Sequence, residues 1–286
     1  MTGGQRNARA VSYGHGTSAM SSGYVHGYHE RENQRLSDQA GTLEQLLHGD
    51  TRYSAGSLVL EAGCGTGAQT VILARNSPEA RFVSVDISPA SLEAARRRTE
   101  DAGLTNVEFR QSDILDLPFE PQSFDHVFVC FVLEHFARPV EALLSLNALI
   151  RPGGSITVIE GDHGSTFFHP DCPEARQAVT CLVEAQKRSG GDAEIGRKLF
   201  PLLIEAGFGG VRVSPRFVYA DASRPEMVEG FTRKTFAAMI EGVREQAIEA
   251  GLMDAAAFDR GIAGLYRAAE PDGVFCYTFF KAVAGV

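Results

Sequence analysis

The sequence predicts an α/β protein built on a doubly wound, mostly parallel seven-stranded sheet. Apolar segments of strand length alternate with segments of helical spacing, which is typical of a parallel sheet covered by helices on both faces. The segment LVLEAGCGTG, from Leu58 to Gly67, is a buried strand that leads through a glycine turn into a helix. Further along, Gly207 follows LLIEA and is a typical end of a helix.

Strands and helices are expected in alternating order. The strands are predicted at residues 57–62, 81–86, 106–111, 124–130, 154–161, 209–218 and 274–282. The helices between them are predicted at residues 29–48, 66–76, 89–102, 138–150, 172–189 and 194–206. The third helix has the clearest ends, because Ser88 is a suitable cap, Pro89 suits the first turn and Gly103 stops it.

The glycine turn predicts a site for a nucleotide-type cofactor. Gly63, Gly65 and Gly67 stand at every second position, so backbone N–H groups can meet a polar cofactor without interference from Cβ atoms. With Ala68 the string also satisfies G-x-G-x-x-A, in which a helix N-terminus binds a pyrophosphate. Glu61 argues against pyrophosphate, because a carboxylate directly before the turn repels phosphate and attracts ammonium or sulfonium groups. The charge therefore favours a cationic ligand.

From this turn onward the sequence resembles the class I S-adenosylmethionine-dependent methyltransferases, and among them the UbiE-like and generic methyltransferase-domain proteins. The similarity rests on five elements in the family's order: LVLEAGCGTG, RFVSVDIS, VEFRQSDILDLPF, SFDHVFVCFVLEH and LIRPGGSITVIE. The resemblance implies a Rossmann-like sheet whose last strand is antiparallel, and S-adenosylmethionine as the cofactor. It covers roughly residues 55–220 and, less specifically, the closing segment VFCYTFFKA.

The resemblance also implies cofactor contacts. Asp86, at the end of the second strand, is expected to bind both ribose hydroxyls, and a carboxylate suits a diol because it accepts several hydrogen bonds. Ile87 is expected to pack on the adenine, and Asp113 to bind the adenine amino group. The full expected cofactor set is Tyr24, Glu61, Gly63, Cys64, Gly65, Gly67, Asp86, Ile87, Asp113, Ile114 and Cys130.

Two regions lie outside the minimal fold. The N-terminal segment is polar and glycine-rich but also aromatic, and related methyltransferases fold such a segment over the cofactor, so we expect a lid in which Tyr24 or Tyr28 contacts the methionine carboxylate. A second region carries apolar side chains at helical spacing and predicts an insertion that either roofs the substrate pocket or forms a dimer surface. The expected lid, S-adenosylmethionine-binding domain, helical insertion and closing strand span residues 1–28, 29–221, 222–270 and 271–286.

Acidic and histidine side chains near the ends of strands four and five are the catalytic candidates: Glu134, His135, Glu160, Asp162 and His163. Methyl transfer is an in-line displacement, so the acceptor must be close to the sulfonium, collinear with its S–CH3 bond and shielded from water. His163, with Asp162 beside it, is the first candidate for orienting or deprotonating the acceptor, because imidazole titrates near neutral pH. A loop histidine bonded to the backbone is the alternative for His163, and His135 is expected to shape the cofactor pocket more than to catalyse.

Composition narrows the class of protein. The 286 residues are 44% apolar and carry a net charge of −9, which argues against a nucleic-acid partner because phosphate backbones are recognised by clustered Lys and Arg. No apolar run is long enough to cross a membrane, and MTGGQRNARA has no apolar core of a signal peptide, so we expect a cytoplasmic protein. The five cysteines show no C-x-x-C spacing and are expected to be reduced thiols.

Three functions remain open from the sequence. The first is methyl transfer to O, N or C of a small-molecule metabolite by a monomer or homodimer. The second is a non-methylating reaction, such as a cyclisation, in a protein that binds S-adenosylmethionine. The third is an NAD-dependent oxidoreductase, through the G-x-G-x-x-A match.

The acceptor pocket and a metal site are less defined. Candidate pocket residues, with core packing or solvated surface as the alternative, are Phe167, Phe168, Tyr219, Phe231, Phe236, Arg216, Arg224 and Arg233. No metal is expected, although a minor hypothesis brings together the histidines His15, His26, His29, His163 and His169.

Overall fold

A seven-stranded sheet with the order β3-β2-β1-β4-β5-β7-β6 forms the centre of the computed structural model, which describes residues 30–286 and the side chains from residue 39 onward. The strands are β1 (Leu58–Ala62), β2 (Arg81–Asp86), β3 (Val107–Gln111), β4 (Phe124–Cys130), β5 (Ile150–His169), β6 (Gly209–Ala220) and β7 (Val274–Gly285). Strands β1 to β5 pair in parallel, whereas β7 is antiparallel to both β5 and β6. The predicted Rossmann-like sheet with an antiparallel last strand is confirmed.

Ten α-helices flank the sheet in the described residues. They are α1 (Glu30–His48), α2 (Ala68–Asn76), α3 (Pro89–Asp101), α4 (Pro139–Leu149), α5 (Pro173–Arg188), α6 (Leu199–Glu205), α7 (Pro225–Met227), α8 (Ala238–Gly242), α9 (Arg244–Glu249) and α10 (Ala255–Arg267). Short 3-10 helices lie at Leu133–His135 and Ile195–Lys198, and a π-helix at Val228–Ala237 joins α7 to α8. The predicted start of α3 is correct, and the Ser88 hydroxyl caps it by accepting the Ser91 N–H at 3.2 Å, whereas the helix ends one residue before the predicted end.

The helices bury both faces of the sheet, in agreement with a doubly wound fold. On one face, α1, α2, α5 and the helices after β6 pack on side chains such as Phe128 and Ile159. On the other, α4 and α6 pack on side chains such as Val127 and Val129. Neighbouring residues of β4 therefore enter different cores, because successive side chains of a strand point to opposite faces.

Strand β5 is much longer than the predicted 154–161. It runs from Ile150 to His169 because its last residues pair with the start of β7, with Phe168 opposite Phe275, beyond a register shift after Asp162. This pairing partner is distant in sequence, so local pattern did not reveal it. As a result, β5 and β7 extend past the carboxyl ends of β1 and β4.

The helices between β6 and β7 pack onto this extension. Phe231 and Phe236 are fully buried, and their ring centroids lie 5.4 and 5.5 Å from that of Tyr277. Core packing, the alternative named for these two side chains, is confirmed. Phe167 is instead 56% exposed and stacks on Phe217 at 6.1 Å.

Two further expectations concern cysteines and membranes. All five cysteines lie within the described residues and are free thiols. Within residues 30–286, no helix combines the length and apolar character that crossing a membrane requires.

Candidate active site

Each of the three glycines of the turn is required for a different structural reason. All have positive φ, at +79° for Gly63, +51° for Gly65 and +79° for Gly67, a region that favours glycine. A Cβ at Gly63 would lie 2.5 Å from a Val132 methyl, and one at Gly67 would lie 2.8 Å from Ala95. A Cβ at Gly65 would meet nothing within 4 Å. Gly63 and Gly67 are therefore needed for internal packing, whereas Gly65 presents its backbone at an open surface.

Asp86 connects the glycine turn to the end of β2. Its Oδ2 accepts the Gly65 N–H at 2.8 Å, and its Oδ1 accepts the Ser88 N–H at 2.9 Å. A carboxylate has about four acceptor positions, so both oxygens can accept further hydrogen bonds. The next side chain, Ile87, is apolar and 39% exposed. A diol acceptor beside an exposed apolar surface fits the ribose and the adenine of an adenosyl group.

Glu61, the carboxylate directly before the turn, is buried. It is 2% exposed, and its Oε2 accepts hydrogen bonds from Thr70 Oγ1 at 2.7 Å and Ser84 Oγ at 2.6 Å. Burial raises the pKa of Glu61 to about 7. Its observed contacts join β1, β2 and α2 beneath the turn, and its contact with the cofactor stays a prediction.

The raised pKa makes stability depend on pH. Because the folded-state pKa of about 7 exceeds the usual 4.5, the folded protein binds more protons between these values and loses stability as the pH rises through them. A pKa shift of this size corresponds to a loss of up to about 3 kcal/mol of stability above pH 7. We expect Glu61→Gln to remove this pH-dependent loss. Urea unfolding of both proteins at about pH 5 and pH 8 measures it. If the free energy of unfolding changed equally with pH in both proteins, ionisation of Glu61 would not destabilise the fold.

Other predicted cofactor residues lie at the same edge of the sheet but are largely enclosed. Asp113 forms a tight turn after β3, and Ile114 is buried in the core. Cys64 in the turn and Cys130 at the end of β4 are also buried, and burial raises the pKa of both thiols. Sequence reasoning missed Thr66, whose buried hydroxyl has no hydrogen-bond partner among the described residues. A hydroxyl in this state suits a polar ligand atom at the turn.

Glu160 of β5 stabilises the turn after β4 through hydrogen bonds. Glu160 Oε1 accepts the N–H groups of Val132 and Leu133, at 3.0 and 2.8 Å. Burial raises the pKa of Glu160 well above its usual value. Directly before this turn, Phe131 has a φ of +58°, an unusual conformation for a bulky residue and one found most often at functional sites.

The 3-10 helix that follows carries Glu134 and His135. Glu134 Oε2 accepts a hydrogen bond from Gln186 at 2.9 Å, and its Oε1 lies 3.7 Å from His135 Nε2. Both side chains are mostly enclosed. Glu134 is therefore not directed to solvent, and a pocket-shaping position for His135 stays a prediction.

Asp162 and His163 do not form the expected pair. Both lie within β5 rather than in a loop, so their side chains point to opposite faces of the sheet. The Asp162 carboxylate is buried and makes a bidentate ion pair with Arg197, at 2.6 and 2.7 Å. Asp162 therefore pairs with Arg197 and not with His163, and a catalytic role for Asp162 stays a prediction.

His163 instead pairs with Tyr277. Its Nδ1 lies 2.8 Å from the Tyr277 hydroxyl, and its ring centroid lies 6.2 Å from that of Phe236. Burial raises the pKa of Tyr277 well above its usual value, so its hydroxyl stays neutral. Sequence reasoning missed Tyr277, although the alternation of VFCYTFF places Phe275, Tyr277 and Phe279 on one face of β7.

Comparison with known proteins decides the family. The model of a family described as "Methyltransferase domain" matches residues 54–207, more than half of the chain. The chain belongs to the methyltransferase domain family. The predicted membership of the class I S-adenosylmethionine-dependent methyltransferases is thus confirmed, as is S-adenosylmethionine as the cofactor. The NAD-dependent oxidoreductase suggested by G-x-G-x-x-A is wrong.

Individual relatives agree with the methyltransferase domain family. A Streptomyces fradiae protein, "Uncharacterized 37.1 kDa protein in transposon TN4556", is 34% identical over 238 residues, which cover 78% of this chain and 65% of the relative. A demethylmenaquinone methyltransferase of Clavibacter sepedonicus is 35% identical over 131 residues, covering 46% of this chain and 49% of the relative. The chain thus spans about half to just under two thirds of these relatives.

Solved structures share the fold of this methyltransferase domain. A putative methyltransferase of Bacillus halodurans C-125 has a TM-score of 0.54 at 17% identity, covering 86% of this chain and 97% of that one. The [4+2]-cyclase SpnF has a TM-score of 0.51 at 17% identity, covering 93% of this chain and 86% of that one. The same fold therefore occurs under names for different reactions.

Several predicted residues lie outside the described part of the chain, namely Tyr24, Tyr28, His15, His26 and His29. Among the described side chains, those of residues 39–286, no group of three or more His, Cys, Asp or Glu is arranged to bind a metal ion. Two of the candidate pocket arginines make ion pairs, Arg216 with Asp50 and Arg233 with Glu270.

Asp86 provides a direct test of the cofactor site. Asp86→Ala removes an acceptor for the ribose hydroxyls, so we expect S-adenosylhomocysteine affinity to fall by about 1–3 kcal/mol, the range for hydrogen bonds to charged groups. Calorimetric titration measures the change, and Asp101→Ala, on exposed helix surface, is the control for lost charge. Unchanged affinity in Asp86→Ala would place the ribose elsewhere.

Proposed function

We propose that this protein transfers a methyl group from S-adenosylmethionine to O, N or C of a small-molecule metabolite. The observation that carries the proposal is the buried His163–Tyr277 pair near the carboxyl end of the sheet. Because β1, β4 and β5 are parallel neighbours, their carboxyl ends meet at one edge, which also carries the glycine turn. Ligands of such sheets bind at this edge.

His163 is the residue we assign to the acceptor. Methyl transfer needs a nucleophile close to the sulfonium carbon, and a phenol, enol or ammonium must also lose a proton. An imidazole exchanges protons near neutral pH, and the Tyr277 hydroxyl fixes its ring through Nδ1. We assign Tyr277 to positioning His163, because a neutral phenol can hold the ring without competing for the proton.

The surroundings of His163 favour an apolar acceptor. The rings of Phe231, Phe236 and Phe279 lie against Tyr277. Phe275 packs on Phe231 and Phe236, and all of these rings belong to one apolar core. Such walls exclude water, which protects a sulfonium from side reactions. We therefore propose an acceptor with an apolar ring or chain, whose nucleophilic atom lies beside His163.

Isotope transfer tests the proposal. The full chain is incubated with methyl-deuterated S-adenosylmethionine and a panel of apolar phenols, quinols and amines, and products are analysed by mass spectrometry. We expect the labelled methyl group in one class of product, together with S-adenosylhomocysteine. A product isomeric with its substrate, formed without loss of the label from S-adenosylmethionine, would overturn methyl transfer in favour of a cyclisation.

A further inference from the structure

A second cleft lies at the opposite end of the parallel strands, on the face that α1 covers. It has a volume of about 410 Å³. Its lining residues come from the segment after α1, the amino-terminal parts of β4 and β5, and the paired strands β6 and β7: Asp50, Thr51, Arg52, Tyr53, His126, Ser155, Thr157, Arg212, Val213, Ser214, Arg216, Lys281 and Val283. His126 precedes Cys130 by four residues, so the cleft lies about 13 Å along β4 from the glycine-turn edge. Small-molecule pockets have volumes of this order.

The cleft concentrates positive charge in a chain whose net charge is −9. Four of its lining side chains are cationic, Arg52, Arg212, Arg216 and Lys281, and one, Asp50, is a carboxylate. The Asp50 carboxylate already binds two of the cations, with Lys281 Nζ at 2.6 Å and Arg216 Nη2 on its other oxygen. These lining side chains therefore leave the cleft with a net charge of +3.

The Lys281 ammonium makes all of its hydrogen bonds within the protein and is not available to a ligand. It is buried, and besides Asp50 its ammonium donates to the Leu47 carbonyl at 3.1 Å and the Thr51 hydroxyl at 2.6 Å. Three acceptors satisfy the three donors of an ammonium group. Lys281 thereby attaches the end of α1 to β7 and forms the floor of the cleft.

Arg216 and Arg212 supply donors for a ligand. The Arg216 Nε–H is buried and has no acceptor among the described residues, which is costly for a polar group. Arg212 is exposed and makes no ion pair with the described residues. Arg212, Ser214 and Arg216 alternate along β6, so all three side chains share one face. Two guanidinium groups on one face suit a phosphate, which accepts several N–H groups at once.

Part of the cleft lining is aromatic. The Tyr53 and His126 rings lie 5.1 Å apart with an interplanar angle of 34°. Burial lowers the pKa of His126, and its Nδ1 lies 2.9 Å from Ser155 Oγ, so this ring adds no positive charge near neutral pH. The two rings therefore offer a flat, neutral surface in the same cleft as the arginines.

We propose that this cleft binds a small phosphorylated organic molecule, with the phosphate on Arg212 and Arg216 and the organic group against Tyr53. The site is separate from the glycine-turn edge and does not depend on the reaction proposed there. Phenyl phosphate is a suitable probe, because it joins a phosphate to a planar ring. Benzoate, with a carboxylate on the same ring, tests whether the site prefers phosphate.

Calorimetric titration of the full chain with phenyl phosphate tests the proposal. We expect Arg212→Glu to weaken binding by about 10- to 100-fold, because hydrogen bonds to charged groups contribute on this scale. Arg216→Lys keeps the charge but removes the Nε–H, so we expect a smaller loss of affinity for phenyl phosphate than in Arg212→Glu. Arg97→Glu, at an exposed position of α3, makes the same change in net charge away from the cleft and should leave binding unchanged.

Three results would overturn the proposal. The first is no binding of phenyl phosphate at millimolar concentration. The second is binding that Arg212→Glu and Arg97→Glu weaken equally, which would indicate only long-range charge. The third is benzoate binding as tightly as phenyl phosphate. Circular dichroism checks that Arg212→Glu is folded, which its exposed position favours.

Discussion

Gly65→Val is expected to abolish binding of S-adenosylmethionine and of S-adenosylhomocysteine while the sheet stays folded. The space around Gly65 is open within the protein, so the valine would project to where the cofactor approaches the backbone. Valine also disfavours the φ of +51° at this position, and the resulting strain, about 1–2 kcal/mol, would distort the turn. Calorimetric titration measures binding, and far-UV circular dichroism measures folding.

A matched control separates strain from obstruction. Gly103, after α3, has a φ of +68°, and a Cβ added there would likewise meet nothing within 4 Å, but this glycine lies away from the glycine turn. We therefore expect Gly103→Val to lower the melting temperature about as much as Gly65→Val and to keep normal cofactor affinity. If Gly65→Val bound the cofactor normally, the cofactor would not lie against this turn.

His163→Ala should lower turnover by about 100-fold or more with little change in cofactor affinity. General-base catalysis contributes about 100- to 10,000-fold, and His163 is the group we assign to it. The expected signature is a fall in kcat with an unchanged dissociation constant for S-adenosylhomocysteine. Tyr277→Phe keeps the aromatic packing but removes the hydroxyl that contacts Nδ1, so we expect a smaller fall in kcat.

His169→Ala is the control for His163→Ala, because His169 lies on the same strand but is exposed. It should leave both kcat and cofactor affinity unchanged. A loss of turnover and cofactor affinity together in His163→Ala would indicate disruption of the site as a whole. Normal turnover in that variant would assign the acceptor proton to another group.

Much of the fold follows from local sequence pattern. The bounds of β1, β2 and β4 differ from prediction by at most one residue, because each is a buried apolar run with a turn signal at its end. The glycine turn and Asp86 were both predicted to bind the cofactor, and the hydrogen bond from the Gly65 N–H to Asp86 shows that they lie side by side.

The parts that failed depend on contacts between distant residues. The length of β5 is set by pairing with β7, and this length turns the predicted Asp162–His163 loop into strand, which separates the two side chains. Burial of Glu61 likewise depends on Ser84 and Thr70 from other elements. Tyr277 was missed because the pattern of an aromatic strand predicts core packing. Only its hydrogen-bond distance to His163 distinguishes it from the other aromatic residues of β7.

The position of β7 has a consequence for biosynthesis. Since β7 lies between β5 and β6, β6 touches the rest of the sheet only through a strand that the ribosome makes later. Until β7 emerges, the nascent chain exposes the unpaired edge of β5, and such edges are templates for aggregation. Completion of the sheet also brings Tyr277 to His163 and Lys281 to Asp50, so neither site can form before β7 leaves the exit tunnel.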